Sequence, residues 1–247
     1  MYLCIDVGNT SVKVGLFDKG KLIKETYFSS KQKYDKKDYR DIFLSYGFTD
    51  IEKICFSSVA ISLNKDLVDV LKELYSCEII FVNKNANLDL TFKIDENEEV
   101  GGDLLAALVS VKERFGYPAI ICDMGTATKF LVLDKEGHFI SCFIVPGIET
   151  SGKSLFNNTE LLPNIKLKIP EHFFAKNTID AINNGIIFSH LELVKGIADL
   201  IEENLGYKCK RFLTGGYSKY VKDDLEKEYI HDPNLVLEGL AILLKKN

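Results

Sequence analysis

The sequence predicts an α/β protein of two similar lobes with a cleft between them, and three observations carry that prediction. One short apolar run ends in Asp6-Val-Gly8-Asn9-Thr10, and a second ends in Asp123-Met-Gly125-Thr126-Ala127-Thr128. After each Asp-x-Gly come two β-patterned runs joined by a polar turn, and the turn glycine, Gly20 or Gly137, stands fourteen residues after the Asp in both copies. Beyond these hairpins both halves alternate helix with strand, which is the layer logic of α/β folds. Two lobes of similar topology would leave a cleft faced by the two Asp-x-Gly turns.

The elements follow in order. Apolar runs bounded by Gly and Asp turns predict strands over 2–6, 12–17 and 22–28. A helix over 36–46, a strand over 53–56, a helix over 64–75, a strand over 78–82 and a helix over 103–115 complete the first half. The second half repeats the pattern with strands over 119–123, 130–133 and 139–145. A long helix over 178–205, a strand over 211–213, a helix over 217–227, a short strand near Tyr229 and a helix over 235–245 follow. Thr178 stands ahead of Ile179, Ile182, Ile186 and Ile187 as an N-cap would, and Gly206 follows Leu205 as a C-terminal cap would. A helix ends and the second copy begins at Gly116-Tyr117-Pro118, so the lobes are predicted as 1–116 and 117–247.

Composition excludes several classes. At 247 residues the chain has room for one large domain or two small lobes. Hydrophobic residues at 46% and charged residues at 27% are ordinary globular values, which excludes disorder and collagen-like repeats. A net charge of −5 argues against sequence-wide nucleic-acid binding, and basic stripes with interleaved aromatics are absent. The N-terminus meets a charge at Asp6 after one short run, so no signal peptide or membrane span is expected. The six cysteines lack metal-ligand or disulfide spacing and read as reduced core thiols of a cytosolic protein. The four histidines are too far apart in sequence to suggest a triad or a metal cluster.

The chemistry concentrates in the Asp-x-Gly turns. A strand ending in a tight Gly turn presents backbone N–H groups and hydroxyls that can cradle phosphate oxygens. In Asp6-Val-Gly8-Asn9-Thr10-Ser11, Asp6 would hold Mg²⁺ with a hard oxygen ligand, and Lys13 would offset phosphate charge. A plain β-turn is the bland alternative for either copy alone. Two copies at equivalent places suit a clamp on the phosphates of a nucleotide, and phosphoryl transfer then needs only an acceptor base. Gly101-Gly102-Asp103 precedes a helix. Asp103 is either the N-cap of that helix or a general base, and the double glycine would let a substrate approach the backbone. Thr214-Gly215-Gly216 is either a contact for the adenosine or a strand–helix turn.

One motif is a decoy. Gly147-Ile-Glu-Thr-Ser-Gly152-Lys153-Ser154 matches the P-loop pattern in full. A P-loop needs a sustained helix behind its Lys, and Asn157-Asn158 and Pro163 break any helix there early.

At these residues the chain resembles the type III pantothenate kinases, of the superfamily of acetate and sugar kinases and actin. The resemblance runs through Asp6-Val-Gly-Asn-Thr10, Gly101-Gly-Asp103, Asp123-Met-Gly-Thr-Ala-Thr128, Val145-Pro-Gly147, Asn177-Thr178, Thr214-Gly-Gly216 and Asp232-Pro-Asn-Leu-Val-Leu-Glu-Gly-Leu240. It implies lobes of ribonuclease H-like, actin-like ATPase topology and ATP-dependent phosphorylation of pantothenate to 4′-phosphopantothenate, the first step towards coenzyme A. Matched residue by residue, Asp6, Val7, Gly8, Asn9, Thr10, Ser11, Val12, Lys13 and Thr126 would bind ATP with Mg²⁺. Asp103 would accept the proton. Asp123 would take part in binding a monovalent cation, potassium or ammonium. Gly101, Gly102, Asp103, the position of Leu104, and Thr178 would contact pantothenate. The resemblance also implies a homodimer, with no nucleic-acid or membrane partner.

The chain departs from the family pattern at three places. Leu104 stands where the family has Arg, the segment Ile94-Asp-Glu-Asn-Glu-Glu-Val100 lacks the family's aromatic and proline, and Lys129 and Leu131 replace a Thr and an Asp. Leu104 cannot supply the hydrogen bonds and charge of Arg. Two other functions remain open on sequence alone: a non-catalytic nucleotide-binding regulator, and a kinase of another small hydroxylated acceptor.

Overall fold

The computed structural model describes residues 1–95 and 99–247, so part of the departing segment 94–100 lies outside the described residues. The chain divides into two compact units, Met1–Gly116 with Asn234–Asn247, and Tyr117–Pro233.

In the first unit the strands are β1 (Tyr2–Val7), β2 (Ser11–Asp18), β3 (Lys21–Ser29), β4 (Lys53–Ser58) and β5 (Glu78–Phe81). They form one sheet in the order β3-β2-β1-β4-β5. β1 runs antiparallel to β2 and parallel to β4. Side chains alternate across the sheet. Leu3, Ile5 and Val7 therefore face one core, shared with Tyr39 and Phe43 of α1 (Lys36–Tyr46) and Leu67, Val70 and Leu71 of α2 (Asn64–Tyr75). Cys4 and Cys55 face the other, shared with Leu105, Ala106 and Val109 of α3 (Gly102–Phe115). α1 starts with a capping box, Asp35 and Asp38 bonding each other's backbone N–H, and ends at the left-handed Gly47.

The last helix, α7 (Leu235–Lys246), departs from expectation. The sequence assigned 117–247 to one lobe, but α7 completes the first unit. Its Leu237, Leu240, Leu243 and Leu244 are buried beside α3, and Gly239 brings the two helices so close that a Cβ there would overlap the backbone of Ala106.

In the second unit β6 (Ala119–Met124), β7 (Ala127–Leu133), β8 (Phe139–Pro146), β9 (Lys210–Thr214) and β10 (Tyr229–His231) form a sheet in the order β10-β9-β6-β7-β8. This is the strand order of the first sheet repeated. The ladder shifts register near the end of β2, at Leu16/Phe17, and again near the end of β7, at Val132/Leu133. Gly20 and Gly137 both close their hairpins at positive φ, 81° and 78°, a backbone that glycine adopts without strain. Ile120, Cys122, Met124, Phe130 and Val132 pack on Leu191, Val194, Ala198 and Ile201 of the long helix α5 (Thr178–Leu205). A buried ion network ties the end of α5 to β9. Arg211 donates to Glu202 through Nε at 3.0 Å and Nη2 at 2.6 Å, and Lys208 and the Cys209 N–H donate to the same carboxylate.

Two predicted helix boundaries change in this unit. The N-cap of α5 is Asn177, whose Oδ1 accepts from the Asp180 N–H at 2.9 Å, and Thr178 is the first helical residue. The predicted helix over 217–227 is instead a 3₁₀ turn, Ser218–Tyr220, followed by the one-turn helix α6 (Lys222–Leu225). The Tyr217 N–H is drawn to the Met124 carbonyl at 3.0 Å, and the Ser218 hydroxyl caps Gly215 at 2.7 Å, so the chain cannot start a regular helix there. Among the described residues no helix is long and apolar enough to cross a membrane.

Candidate active site

The first unit places four of the singled-out features on one face of its sheet. Asp6 alternates with Cys4, so it shares the face that carries α3. Ser57 lies directly across from Asp6 on β4 and alternates with Cys55, so it shares that face too. α3 starts there, packed so tightly on the end of β4 that a Cβ on Gly102 would come within 2.8 Å of the Val82 carbonyl and 2.9 Å of Ser57 Oγ. Gly102 therefore has a packing reason to be glycine. A Cβ on Gly101 would lie 2.5 Å from Asp103 Oδ1. The Asp103 carboxylate thus folds back over Gly101 at the helix start.

This corrects the bland reading of Asp103. The N-cap of α3 is Gly101, which makes no side-chain cap, and Asp103 is the second helical residue. It is 9% exposed, yet at the N-terminal end of a helix, where a negative charge is favoured. Leu104 follows it, half-buried, with its N–H bonded to the Gly101 carbonyl at 3.0 Å. The turn between β1 and β2 is closed by the Gly8 N–H on the Ser11 carbonyl at 3.0 Å, with Asn9 exposed at its tip. Lys13 lies across from Asp6 in the antiparallel ladder. Carboxylates, a Gly turn and a helix start on one face suit a phosphate chain and its hard divalent ion.

Ser57 is the residue that sequence reasoning missed. It is fully buried, and among the described residues its Oγ has no hydrogen-bond partner. Its signal was its place at the end of a strand, which becomes informative only once the register with Asp6 is known.

The second unit builds its turn from three backbone segments. The Gly125 N–H bonds the Ala127 carbonyl at 3.1 Å. The Gly147 N–H and the Thr150 hydroxyl both donate to the Thr126 carbonyl, at 3.1 and 2.7 Å. Gly215, at φ 90°, lies under Met124 and Asp123, where a Cβ would fall 2.5 Å from the Met124 carbonyl and 2.6 Å from Asp123 Oδ1. Thr214-Gly215-Gly216 therefore buttresses the second turn, and the stretch after it is not a helix start. Thr126 is exposed at the tip. Asp123 alternates with Cys122 and Met124 and so faces away from α5. Its Oδ2 lies 3.4 Å from the Lys129 ammonium. Thr178 is exposed at the first position of α5.

The P-loop pattern at 147–154 is not a loop. It lies in α4 (Ile148–Asn157), capped by Gly147, so its backbone groups close helical bonds instead of cradling phosphate. Lys153 pairs with Glu149 one turn earlier, at 3.0 Å. The six cysteines are free thiols, and burial pushes Cys122 well up and Cys55 to about 12. Such thiols are poor nucleophiles. His190 is buried against the Ile186 and Pro146 carbonyls, a structural role.

Known proteins resemble the chain over its whole length. The family profile of type III pantothenate kinases matches residues 2–200. The type III pantothenate kinase of Dictyoglomus turgidum is 33% identical over 258 aligned residues, covering all of both chains. That of Halalkalibacterium halodurans is 29% identical over 253, again covering both in full. Among solved structures, a conserved putative Baf family transcriptional activator from Campylobacter jejuni aligns with TM-score 0.59 at 22% identity, over 99% of this chain and 98% of that one. A putative 2-dehydro-3-deoxygalactonokinase from Sinorhizobium meliloti aligns with TM-score 0.59 at 12% identity, over 99% and 96%. These two likenesses speak for the fold alone, a fold shared with sugar kinases. The doubled five-stranded sheet, the two Asp-x-Gly turns and the full-length match together identify this chain as a member of the type III pantothenate kinase family.

Proposed function

We infer that this chain transfers the γ-phosphoryl group of ATP to the terminal hydroxyl of pantothenate, releasing ADP and 4′-phosphopantothenate. The observation that carries the assignment of roles is Asp103, a carboxylate folded over Gly101 at the start of α3, on the sheet face that also bears Asp6. ATP is bound through Asp6–Lys13 and Thr126, with Asp6 the ligand of the divalent ion that arrives with the nucleotide. When bound, that ion would supply positive charge to neutralise the phosphates. Asp103 accepts the proton of the attacking hydroxyl as its oxygen bonds to phosphorus and the bond to ADP breaks. Gly101, Gly102, Leu104 and Thr178 would contact the acceptor, as the family resemblance implies. Leu104 supplies no positive charge for a carboxylate, so acceptor binding there rests on apolar contact and backbone groups.

The same reading makes the protein a cytosolic homodimer. Free thiols with their pKa raised by burial suit a reducing compartment. Phe143, Ile144, Phe156, Leu161, Phe173 and Phe174 of the second unit are exposed apolar residues of the kind that subunit interfaces cover.

A coupled ADP-release assay tests the function. Turnover must depend on pantothenate. A positioned base contributes on the order of 10²–10⁴-fold, so Asp103→Asn should lose about that much kcat while still binding ATP. An Asp103→Asn enzyme with full turnover would remove the base from the mechanism.

A further inference from the structure

The residues around Asp123 do not fit a free monovalent cation, and that disagreement with the family expectation is informative. We propose that the ε-ammonium of Lys129 is a built-in counter-ion for Asp123, so that this kinase works without a bound potassium or ammonium ion. The proposal rests on the kinase reading above.

Four observations support it. Lys129 stands directly across from Asp123 in the antiparallel β6–β7 ladder, where opposite charges attract across a short gap. Its Nζ lies 3.4 Å from Asp123 Oδ2, with the two side chains 18% and 14% exposed, so water screens the pair little. The other oxygen, Oδ1, is packed beneath Gly215, close enough that a Cβ would come within 2.6 Å. One carboxylate oxygen thus lies beside an ammonium and the other lies close under Gly215, while a potassium ion requires a shell of several oxygens. The fourth observation is the charge that this chain places at position 129 with Lys129. At position 129 the family pattern has a neutral Thr, which leaves the aspartate charge to be balanced from solution; here the balancing charge is tethered and independent of salt.

The test compares wild type with Lys129→Thr and, alongside it, Lys129→Gln, which keeps a longer stem. Each is measured in tetramethylammonium chloride and in potassium chloride at equal ionic strength. Binding is read without substrates, as a potassium-dependent rise in melting temperature and as saturable thallium(I) binding. Turnover is read separately by ADP release. For wild type the melting temperature should not respond to potassium beyond tetramethylammonium, thallium should not saturate a site, and turnover should be the same in both salts. Loss of one preorganised electrostatic partner costs on the order of 10²-fold, so the variants should lose about that in tetramethylammonium and regain most of it with saturating potassium. Their melting temperature should rise with potassium, as mass action requires of a ligand bound only by the folded state. Wild-type activation by potassium would overturn the proposal, as would variants in which potassium neither binds nor rescues. The binding arm needs no turnover, so even a chain that failed to phosphorylate pantothenate would show whether Lys129 takes the place of the ion.

Discussion

Gly215 offers the sharpest test of how the second Asp-x-Gly turn is held. Replacing it with alanine adds one methyl group at φ 90°, 2.5 Å from the Met124 carbonyl and 2.6 Å from Asp123 Oδ1. Ordinary van der Waals contact needs about 3.5 Å, so the turn or the chain beneath it must yield by about 1 Å. Left-handed backbone costs a non-glycine residue about 1–2 kcal/mol, and forced overpacking adds about 1–3 kcal/mol. For a protein of this size each kcal/mol lowers the melting temperature by about 2–4 °C, so Gly215→Ala should melt roughly 4–20 °C below wild type. Activity should fall further than stability explains, because a misplacement of about 1 Å at reacting groups costs on the order of 10²-fold. The assay is ADP release well below the melting temperature, with differential scanning fluorimetry alongside. Gly216→Ala is the neighbouring control, since a Cβ there would meet nothing within 4 Å. A Gly215→Ala protein with wild-type melting temperature and turnover would refute the buttress.

Two further outcomes follow from the geometry. Lys153→Ala should leave ATP affinity, measured by isothermal titration, unchanged, because Lys153 pairs with Glu149 on the flank of α4 and its loop-like motif is helical; loss of ATP binding in that variant would restore the P-loop reading. Burial pushes Glu202 up, but Arg211, Lys208 and the Cys209 N–H outweigh it and hold its carboxyl at about 2 against an ordinary 4.5. A depressed carboxylate contributes stability above its ordinary value and loses it as the pH falls through the folded one. The full shift corresponds to about 3 kcal/mol, and nearer 2 because Lys208 is exposed to solvent. In urea unfolding, Glu202→Gln should therefore be less stable than wild type at pH 6, with the gap narrowing between pH 4.5 and 2; a gap that does not change with pH would contradict this.

Local signals account for what the sequence disclosed. The spacing from Asp6 to Gly20 and from Asp123 to Gly137 marked two copies of one hairpin, because turn glycines and alternating apolar runs act over a few residues. What stayed hidden depended on distant partners. Asn177 and Thr178 are both good caps side by side, and only the bond to Asp180 distinguishes them. Nothing near 217–227 announces that the Met124 carbonyl will claim the Tyr217 N–H and interrupt a helical pattern. Ser57 and Lys129 acquire meaning only through register with Asp6 and Asp123. The place of α7 depended on Gly239 meeting Ala106, more than a hundred residues away.

That last contact has a consequence for how the molecule is made. The second unit is one uninterrupted stretch, Tyr117–Pro233, whereas the first is finished only by Asn234–Asn247. As the chain leaves the ribosome, residues 1–116 emerge before the second unit but wait, with the side of α3 that packs on α7 uncovered, until the whole second unit has been synthesised. The order of synthesis and the order of completion are thus reversed: of the two units, the one whose strands are made first is the later to close its core. During that interval its bare α3 face is the surface a holding chaperone would engage.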